Sequence, residues 1–287
     1  MPRPDAAIDE LLKRYQSGRM GRRRLFQSLN RLLGGYAAAQ LFLESTGLAA
    51  GAVAAQESHE AGVDSATVRY AGPAGQIEAY LARPKSGGPH PGIVVIHENR
   101  GLNDHIRDVA RRLAAEGFVA LAPDLLSRRG TTAKMESVDK AREVIGTLTP
   151  AEAMSDLKAS LRYLEEQNGV DRKRISSIGF CWGGARSFLI ATEVSSLYRA
   201  VVFYGSPPPE EKLATIACPV LGIYGEKDQR ITSTVASTAE AMKKLGKKYE
   251  YKIYPGADHA FFNDTGPRYD TAAAKDAWAR ALQFLRG

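Results

Sequence analysis

The sequence is poor in the residues that build disulfide frameworks, metal centres and nucleotide sites. It has two cysteines, Cys181 and Cys218, which are too few for a disulfide framework. It contains neither cysteine and histidine pairs with metal-ligand spacing nor a glycine loop of the phosphate-binding or dinucleotide-binding type. We therefore expect no cofactor and no metal. No apolar run is long enough to span a bilayer permanently.

The net positive charge is also small over most of the chain, although the formal net charge is +7. Residues 1–55 contain eight lysines and arginines against four acidic residues, which leaves a net charge of +3 for the other 232 residues. Such a dilute charge does not favour a surface that follows nucleic-acid phosphates. A chain of 287 residues with 44% hydrophobic residues can bury a sizeable core. We expect one large domain with an appendage and no nucleic-acid partner.

From about residue 62 onward, apolar strand patterns alternate with helical patterns. This alternation predicts an α/β fold with a mostly parallel, doubly wound sheet flanked by helices. The clearest helices cover residues 151–167 and 270–284. Strands are predicted over residues 66–70, 76–82, 91–96, 118–121, 175–180, 200–204, 219–224 and 249–254.

Residues 179–184, Gly-Phe-Cys-Trp-Gly-Gly, lie where an apolar strand gives way to a helical pattern. The pattern is typical of a nucleophile elbow, here with Cys181 in place of serine. The two outer glycines of the Gly-x-Cys-x-Gly motif allow a turn too tight for side chains, which raises the sulfur above the edge of the sheet. A cysteine between two aromatic residues is also common in ordinary cores, so the motif alone leaves both interpretations open.

Two later loops carry the residue types that such an elbow requires. Asp228 follows the strand predicted over 219–224, and His259 follows the strand over 249–254. Separately, the aspartate could cap a helix and the histidine could be an ordinary loop residue. Their order after Cys181, nucleophile then acid then histidine, is that of α/β-hydrolases and predicts a catalytic triad.

The loop after the strand over 91–96 completes the predicted site. In this fold it supplies the second oxyanion donor, so we expect the backbone N–H groups of Trp182 and Asn99 to form the oxyanion hole. Glu98 is the side chain that this loop directs at Cys181. It could instead form a structural salt bridge with Arg100 or Arg128.

With these residues in place, the chain resembles the dienelactone hydrolase family over residues 65–285. The resemblance is carried by residues 97–101 (His-Glu-Asn-Arg-Gly), 122–128, 179–184, Asp228 and 259–261. It implies the branch with an N-terminal extension, a triad of Cys181, Asp228 and His259, and a glutamate, Glu98, that holds the resting thiol. The expected substrate is a small-molecule lactone or activated ester, cleaved through a thioester. A broader carboxylesterase or thioesterase, or a catalytically weak binding protein, are the alternatives.

The same resemblance assigns substrate binding to Arg128, which matches the family's arginine for the substrate carboxylate. An ordinary solvated arginine is the alternative. The family's second such arginine is replaced by Asn263, so the identity of the substrate stays open. Arg100 and Phe261 are further candidates for contact with substrate.

The first 61 residues form an N-terminal helical extension or a signal, and residues 62–287 form the predicted catalytic domain. Paired arginines within residues 21–26 and a small-residue run ending at residues 52–55 resemble a twin-arginine export signal, which would send the protein to the periplasm. Arg31 and Glu44 interrupt the apolar segment of that signal. In the alternative, a retained helical hairpin packs on the domain or on a second subunit of a cytoplasmic protein.

Overall fold

The computed structural model describes residues 4–16, residues 62–287 and six positions between them. Those six positions are Leu25, Ser28, Leu29, Leu32, Leu33 and Phe42. The chain divides into two compact units. Met1–Gln56 and Asn263–Tyr269 form the first unit, and Glu57–Phe262 and Asp270–Gly287 form the second.

The first unit contains helix α1, Pro4–Gln16. Its apolar residues recur at helical spacing and join a buried cluster, because three- and four-residue steps place side chains on one face. Its buried members are Ile8, Leu25 and Leu29, and the partly buried residues packed against them are Leu11, Leu12, Tyr15, Leu33 and Phe42. Residues 21–24 and 52–55 lie outside the described residues, so export and retention both stay predictions, as does the domain boundary after residue 61. Where the structure describes helices, none combines the length and apolar character needed to cross a membrane.

The second unit is built on a single sheet of eight strands in the order β1-β2-β4-β3-β5-β6-β7-β8. Strands β1 and β2 form an antiparallel hairpin, β2 pairs antiparallel with β4, and the remaining pairs are parallel. The strands are β1 Val63–Gly72, β2 Gly75–Pro84, β3 His90–Ile96, β4 Val119–Pro123, β5 Val170–Phe180, β6 Ala200–Phe203, β7 Val220–Gly225 and β8 Tyr249–Tyr254. All eight predicted strands are present, and the predicted α/β-hydrolase fold class is confirmed.

Helices connect the parallel strands and flank the sheet. They are α2 Asp104–Ala115, α3 Val138–Gly146, α4 Pro150–Glu165, α5 Trp182–Ile190, α6 Gln229–Thr232, α7 Val235–Lys244 and α8 Thr271–Arg286. Local sequence fixes their ends: Asn103 caps α2, and Thr149 and Glu152 form a reciprocal capping box before α4, with Pro150 in the first turn. The core is filled by apolar side chains from the strands and from the helix faces that turn toward them.

Parallel pairing determines where the functional loops meet. Ile96 at the end of β3 pairs with Gly179 near the end of β5, and Phe180 pairs with Phe203 at the end of β6. Strands β7 and β8 continue in the same direction. The loops that follow these strands therefore emerge at one edge of the sheet, where ligands bind in open α/β folds.

Candidate active site

Cys181 occupies a one-residue turn between β5 and α5, with φ 55° and ψ −116°. A non-glycine residue in this region of backbone space is strained and persists only when its surroundings enforce it. A Cβ atom at Gly179 would collide with the backbone of Gly183, and one at Gly183 would collide with the carbonyl oxygens of Ile96 and His97. The glycines therefore let α5 start directly against the sheet, which is the geometry that the Gly-x-Cys-x-Gly motif predicts.

Three side chains from three loops form a continuous hydrogen-bonded chain. His259 Nε2 lies 3.0 Å from Cys181 Sγ, and His259 Nδ1 lies 2.5 Å from Asp228 Oδ2. Asp228 is buried, while Cys181 and His259 are half-buried. The structure thus brings together the nucleophile, base and acid predicted from sequence, with the acid hydrogen-bonded to the ring nitrogen that faces away from the sulfur. This is the arrangement by which an acid orients a histidine toward a nucleophile.

The neighbours of His259 change its charge state. Burial lowers the pKa of the imidazole, but the hydrogen bonds to Asp228 and Cys181, together with their negative charges, outweigh it and raise the pKa to about 9. At neutral pH the imidazolium form is therefore favoured. An imidazolium at hydrogen-bond distance is the partner that a thiolate nucleophile requires.

Backbone strain in the described residues is concentrated around this histidine. Besides Cys181, the non-glycine residues with positive φ are Tyr204, at 40°, and Ala260, at 63°. The Tyr204 ring lies 5.1 Å from the His259 ring, and Ala260 follows His259 in the chain. The sequence analysis did not identify Tyr204 as a site residue. The feature that could have indicated it is an aromatic residue at a strand end, directly before a glycine. Strained residues at one location are typical of functional sites.

The predicted oxyanion donors lie at the ends of two paired strands. Trp182 is the first residue of α5, where N–H groups have no acceptor within the helix. Asn99 lies in the turn after β3, which the Gly101 N–H closes with a 3.4 Å bond to the Glu98 carbonyl. Glu98 is buried, with 3% of its surface exposed. The roles of Trp182, Asn99 and Glu98 stay predictions.

His97 fixes this turn in place, a role that the sequence did not reveal. The ring is fully buried and accepts the Leu125 N–H on Nε2 at 3.1 Å, so Nδ1 carries the proton and donates to the Glu98 carbonyl at 2.7 Å. Burial lowers the pKa of His97, which keeps the ring neutral. Its ring is nearly parallel to that of Trp182, with centroids 5.7 Å apart. His97 therefore links the turn after β3 to the loop after β4 and to the start of α5.

The structure places Arg128 in an internal ion pair. Its Nε and Nη2 atoms donate to the two carboxylate oxygens of Asp156 on α4 at 2.8 and 2.7 Å, and Nη2 also donates to Ser155 Oγ. The side chain is 11% exposed, so Arg128 is not a solvated arginine, and its acidic partners are Asp156 and Glu152 rather than Glu98. Arg100 is half-buried and has no hydrogen bond or ion pair within the described residues. Substrate binding by either arginine stays a prediction.

Phe261 and Asn263 lie in different units and have different surroundings. Phe261 is fully buried against Tyr204 and Tyr254, so its predicted contact with substrate has no accessible surface to support it. Asn263 belongs to the Asn263–Tyr269 segment of the first unit. Its side-chain oxygen accepts hydrogen bonds from the N–H and the hydroxyl of Thr265 at 3.0 and 2.7 Å.

The second cysteine has no part in this arrangement. Cys218 is buried before β7, and burial raises the pKa of its thiol to about 11. Its burial is that of a structural thiol. Within residues 4–16 and 62–287, no three His, Cys, Asp or Glu side chains are grouped so that they could hold a metal ion.

The sheet order and the turn at Cys181 define an α/β-hydrolase fold, and comparisons with known proteins give the family. The family model for the dienelactone hydrolase family matches residues 77–287. A candidate carboxymethylenebutenolidase of Saccharolobus solfataricus is 38% identical, over 74% of this chain and 94% of that protein. One from Methylorubrum extorquens is 36% identical, over 74% of this chain and 77% of that protein.

Solved structures agree with the sequence comparison. The crystal structure of a candidate dienelactone hydrolase from Klebsiella pneumoniae subsp. pneumoniae superimposes with a TM-score of 0.73 at 32% identity, covering 78% of this chain and 98% of that one. A dienelactone hydrolase-like promiscuous phosphotriesterase from metagenomic libraries gives a TM-score of 0.68 at 25% identity, with the same coverage. The chain belongs to the dienelactone hydrolase family and is a hydrolase. The family resemblance predicted from sequence is confirmed.

Replacing Asp228 with asparagine is expected to lower the His259 pKa from about 9 toward its ordinary value of 6.5, because the carboxylate hydrogen bond that favours the imidazolium is lost. NMR titration of the His259 ring proton measures this shift. Asp258→Asn is the matched control, since the Asp258 carboxylate accepts the backbone N–H of His259 and not its ring. An unchanged His259 pKa in Asp228→Asn would contradict this account.

Replacing His97 with leucine is expected to lower the free energy of unfolding by about 2–4 kcal/mol, because the Leu125 N–H and the Glu98 carbonyl lose their buried partner. His97→Gln, which keeps an acceptor and a donor, should lose less. Urea denaturation of the three proteins measures the difference. Equal losses in the leucine and glutamine variants would mean that ring packing, and not hydrogen bonding, accounts for the stability.

Proposed function

We propose that this protein hydrolyses lactones or activated esters through a cysteine nucleophile and a thioester intermediate. The observation that carries the proposal is the hydrogen-bonded chain from Asp228 through His259 to Cys181. Membership of a hydrolase family supports it. The names of the relatives, candidate carboxymethylenebutenolidases, favour a lactone over a simple ester.

In the first half of the reaction the Cys181 thiolate attacks the carbonyl carbon of the substrate. The carbonyl oxygen becomes an oxyanion that accepts hydrogen bonds from the backbone N–H groups of Trp182 and Asn99, each worth about 3 kcal/mol of barrier. As the intermediate collapses, the bond to the leaving oxygen breaks and His259 gives that oxygen a proton. In a lactone the leaving oxygen stays attached to the acyl group, so the ring opens on the enzyme.

The second half releases the product. Neutral His259 removes a proton from water, and the resulting hydroxide attacks the thioester carbonyl. The carbon–sulfur bond then breaks, which restores the Cys181 thiolate beside the His259 imidazolium and frees a carboxylic acid. Asp228 holds the imidazole in the tautomer and orientation that both halves need.

The nucleophile restricts the leaving group. A thiol with an ordinary pKa of about 8.5 is a better leaving group than an alcohol, so an intermediate formed from an alkyl ester tends to expel Cys181 again. Enol lactones, aryl esters and thioesters avoid this reversal because their own leaving groups are comparably stable anions. The proposed substrate class is therefore esters with stabilised leaving groups.

Glu98 is proposed to hold the resting thiol. Glu98 is buried in the turn that follows β3, and β3 is paired with β5. The resemblance to the family assigns this glutamate to holding the Cys181 side chain in its resting position until substrate arrives.

The deciding experiment compares the wild type with Cys181→Ala in the hydrolysis of a chromogenic aryl ester and of a dienelactone. Activity should fall at least about 10³-fold, since removal of a nucleophile leaves only the contribution of the oxyanion hole and substrate binding. Intact mass after brief exposure to the ester should detect a transient acyl adduct on the wild type alone. Cys218→Ala is the matched control and should retain activity, because Cys218 is buried outside the site.

Activity that survives in Cys181→Ala would remove Cys181 as the nucleophile. Absence of hydrolysis in the wild type would favour the binding-protein alternative. The ratio of rates on dienelactone and aryl ester separates a lactonase from a broad esterase.

Replacing Glu98 with glutamine is expected to lower turnover about 10-fold or more, because the charged group proposed to hold the resting Cys181 side chain is lost. The thermal midpoint of unfolding should stay unchanged, because the substitution keeps the size of the side chain. Steady-state kinetics and a thermal melt measure the two effects. Unchanged turnover would exclude Glu98 from the mechanism.

A further inference from the structure

An arginine that the sequence analysis did not single out packs over the side chain of Trp182, the residue whose backbone N–H is the proposed oxyanion donor. The Arg186 guanidinium carbon is 4.6 Å from the centroid of the Trp182 ring. Both residues are on α5, four positions apart, and helical side chains lean toward the helix N-terminus. The guanidinium is therefore held toward the end of α5 at which Cys181 lies.

Arg186 has no counter-charge in the part of the chain that the structure describes. Its Nε atom is buried without a hydrogen-bond partner, and no described carboxylate pairs with the side chain. Burial lowers the pKa of Arg186, and no neighbouring acid offsets this effect. Arg128 differs, because Asp156 binds it through both carboxylate oxygens. A half-buried guanidinium without an anion is costly, and a bound anion would offset that cost.

The contact with Trp182 suits Arg186 for binding a carboxylate. A guanidinium placed over an aromatic ring keeps its N–H groups, which lie in its own plane, available to an acceptor. Two of those groups match the two oxygens of a carboxylate. The aromatic ring also limits the side-chain motion that binding would otherwise have to arrest.

We infer that Arg186 binds a carboxylate group of the substrate, in the role that sequence resemblance assigns to Arg128. The inference rests on the proposed function, because it places the carboxylate on an ester that Cys181 attacks. Arg128 instead attaches the loop after β4 to α4 through Asp156. The specificity of this protein for charged substrates then depends on α5, the helix that begins at the nucleophile.

The test uses two activated esters, 4-nitrophenyl hydrogen glutarate and 4-nitrophenyl methyl glutarate, of which the first carries a free carboxylate and the second a neutral methyl ester in its place. In Arg186→Gln the ratio of kcat/KM for the acid to that for the methyl ester should fall about 10- to 100-fold, mainly through KM, because a charged hydrogen-bonded pair is lost. Arg199→Gln is the matched control. Arg199 also packs over aromatic rings, those of Tyr198 and Phe284, but precedes β6 at the opposite end of the sheet.

Arg100→Gln is measured in parallel because Arg100 also has no described partner. A ratio that is unchanged in Arg186→Gln, or that falls only in Arg100→Gln, would overturn the assignment to Arg186. A fall in Arg186→Gln with no change in Arg199→Gln would support it.

A binding measurement separates this inference from the proposed function. Titration calorimetry with monomethyl glutarate requires no turnover and compares the wild type with Arg186→Gln. Weaker binding by the variant supports the carboxylate site even if neither ester is hydrolysed. Equal affinities, or no binding by the wild type, would overturn the site even if Cys181 hydrolyses both esters.

Discussion

The backbone turn at Cys181 is the constraint on which the rest of the site depends. Gly179 and Gly183 allow α5 to approach the carbonyl oxygens at the end of β3, and that approach holds Cys181 at a φ of 55°. The same turn sets the direction of the sulfur, the N–H of Trp182 and the first turn of α5. A larger residue at Gly179 or Gly183 would displace all three together, because they share one rigid connection between strand and helix.

The charged side chains of this region differ in whether they have an ion-pair partner within the protein. Arg128 is matched by Asp156, and His259 by Asp228. Breaking a buried pair from one side costs about 3–5 kcal/mol, so the first pair holds its loop firmly against α4. Arg186 has no such match among the described residues. The two strongest ion pairs of this region are therefore satisfied within the protein.

Much of the site could be predicted from sequence because its constraints are local. Cys181, Asp228 and His259 each follow a strand of the sheet, and parallel strands bring their ends together. The partner of Arg128 could not be predicted, because Asp156 is 28 residues away and its alignment depends on how α4 packs. His97 was missed for the same reason: its acceptor role depends on the Leu125 N–H, in a loop reached only through the β3–β4 pairing.

The two thiols of the protein differ in exposure, because Cys181 is half-buried and Cys218 is buried. Burial holds the pKa of Cys218 near 11, so at neutral pH it is almost entirely protonated and shielded from solvent. A mild alkylating reagent should then consume one equivalent per properly folded molecule. Consumption of a second equivalent would report the fraction of chains whose core has opened.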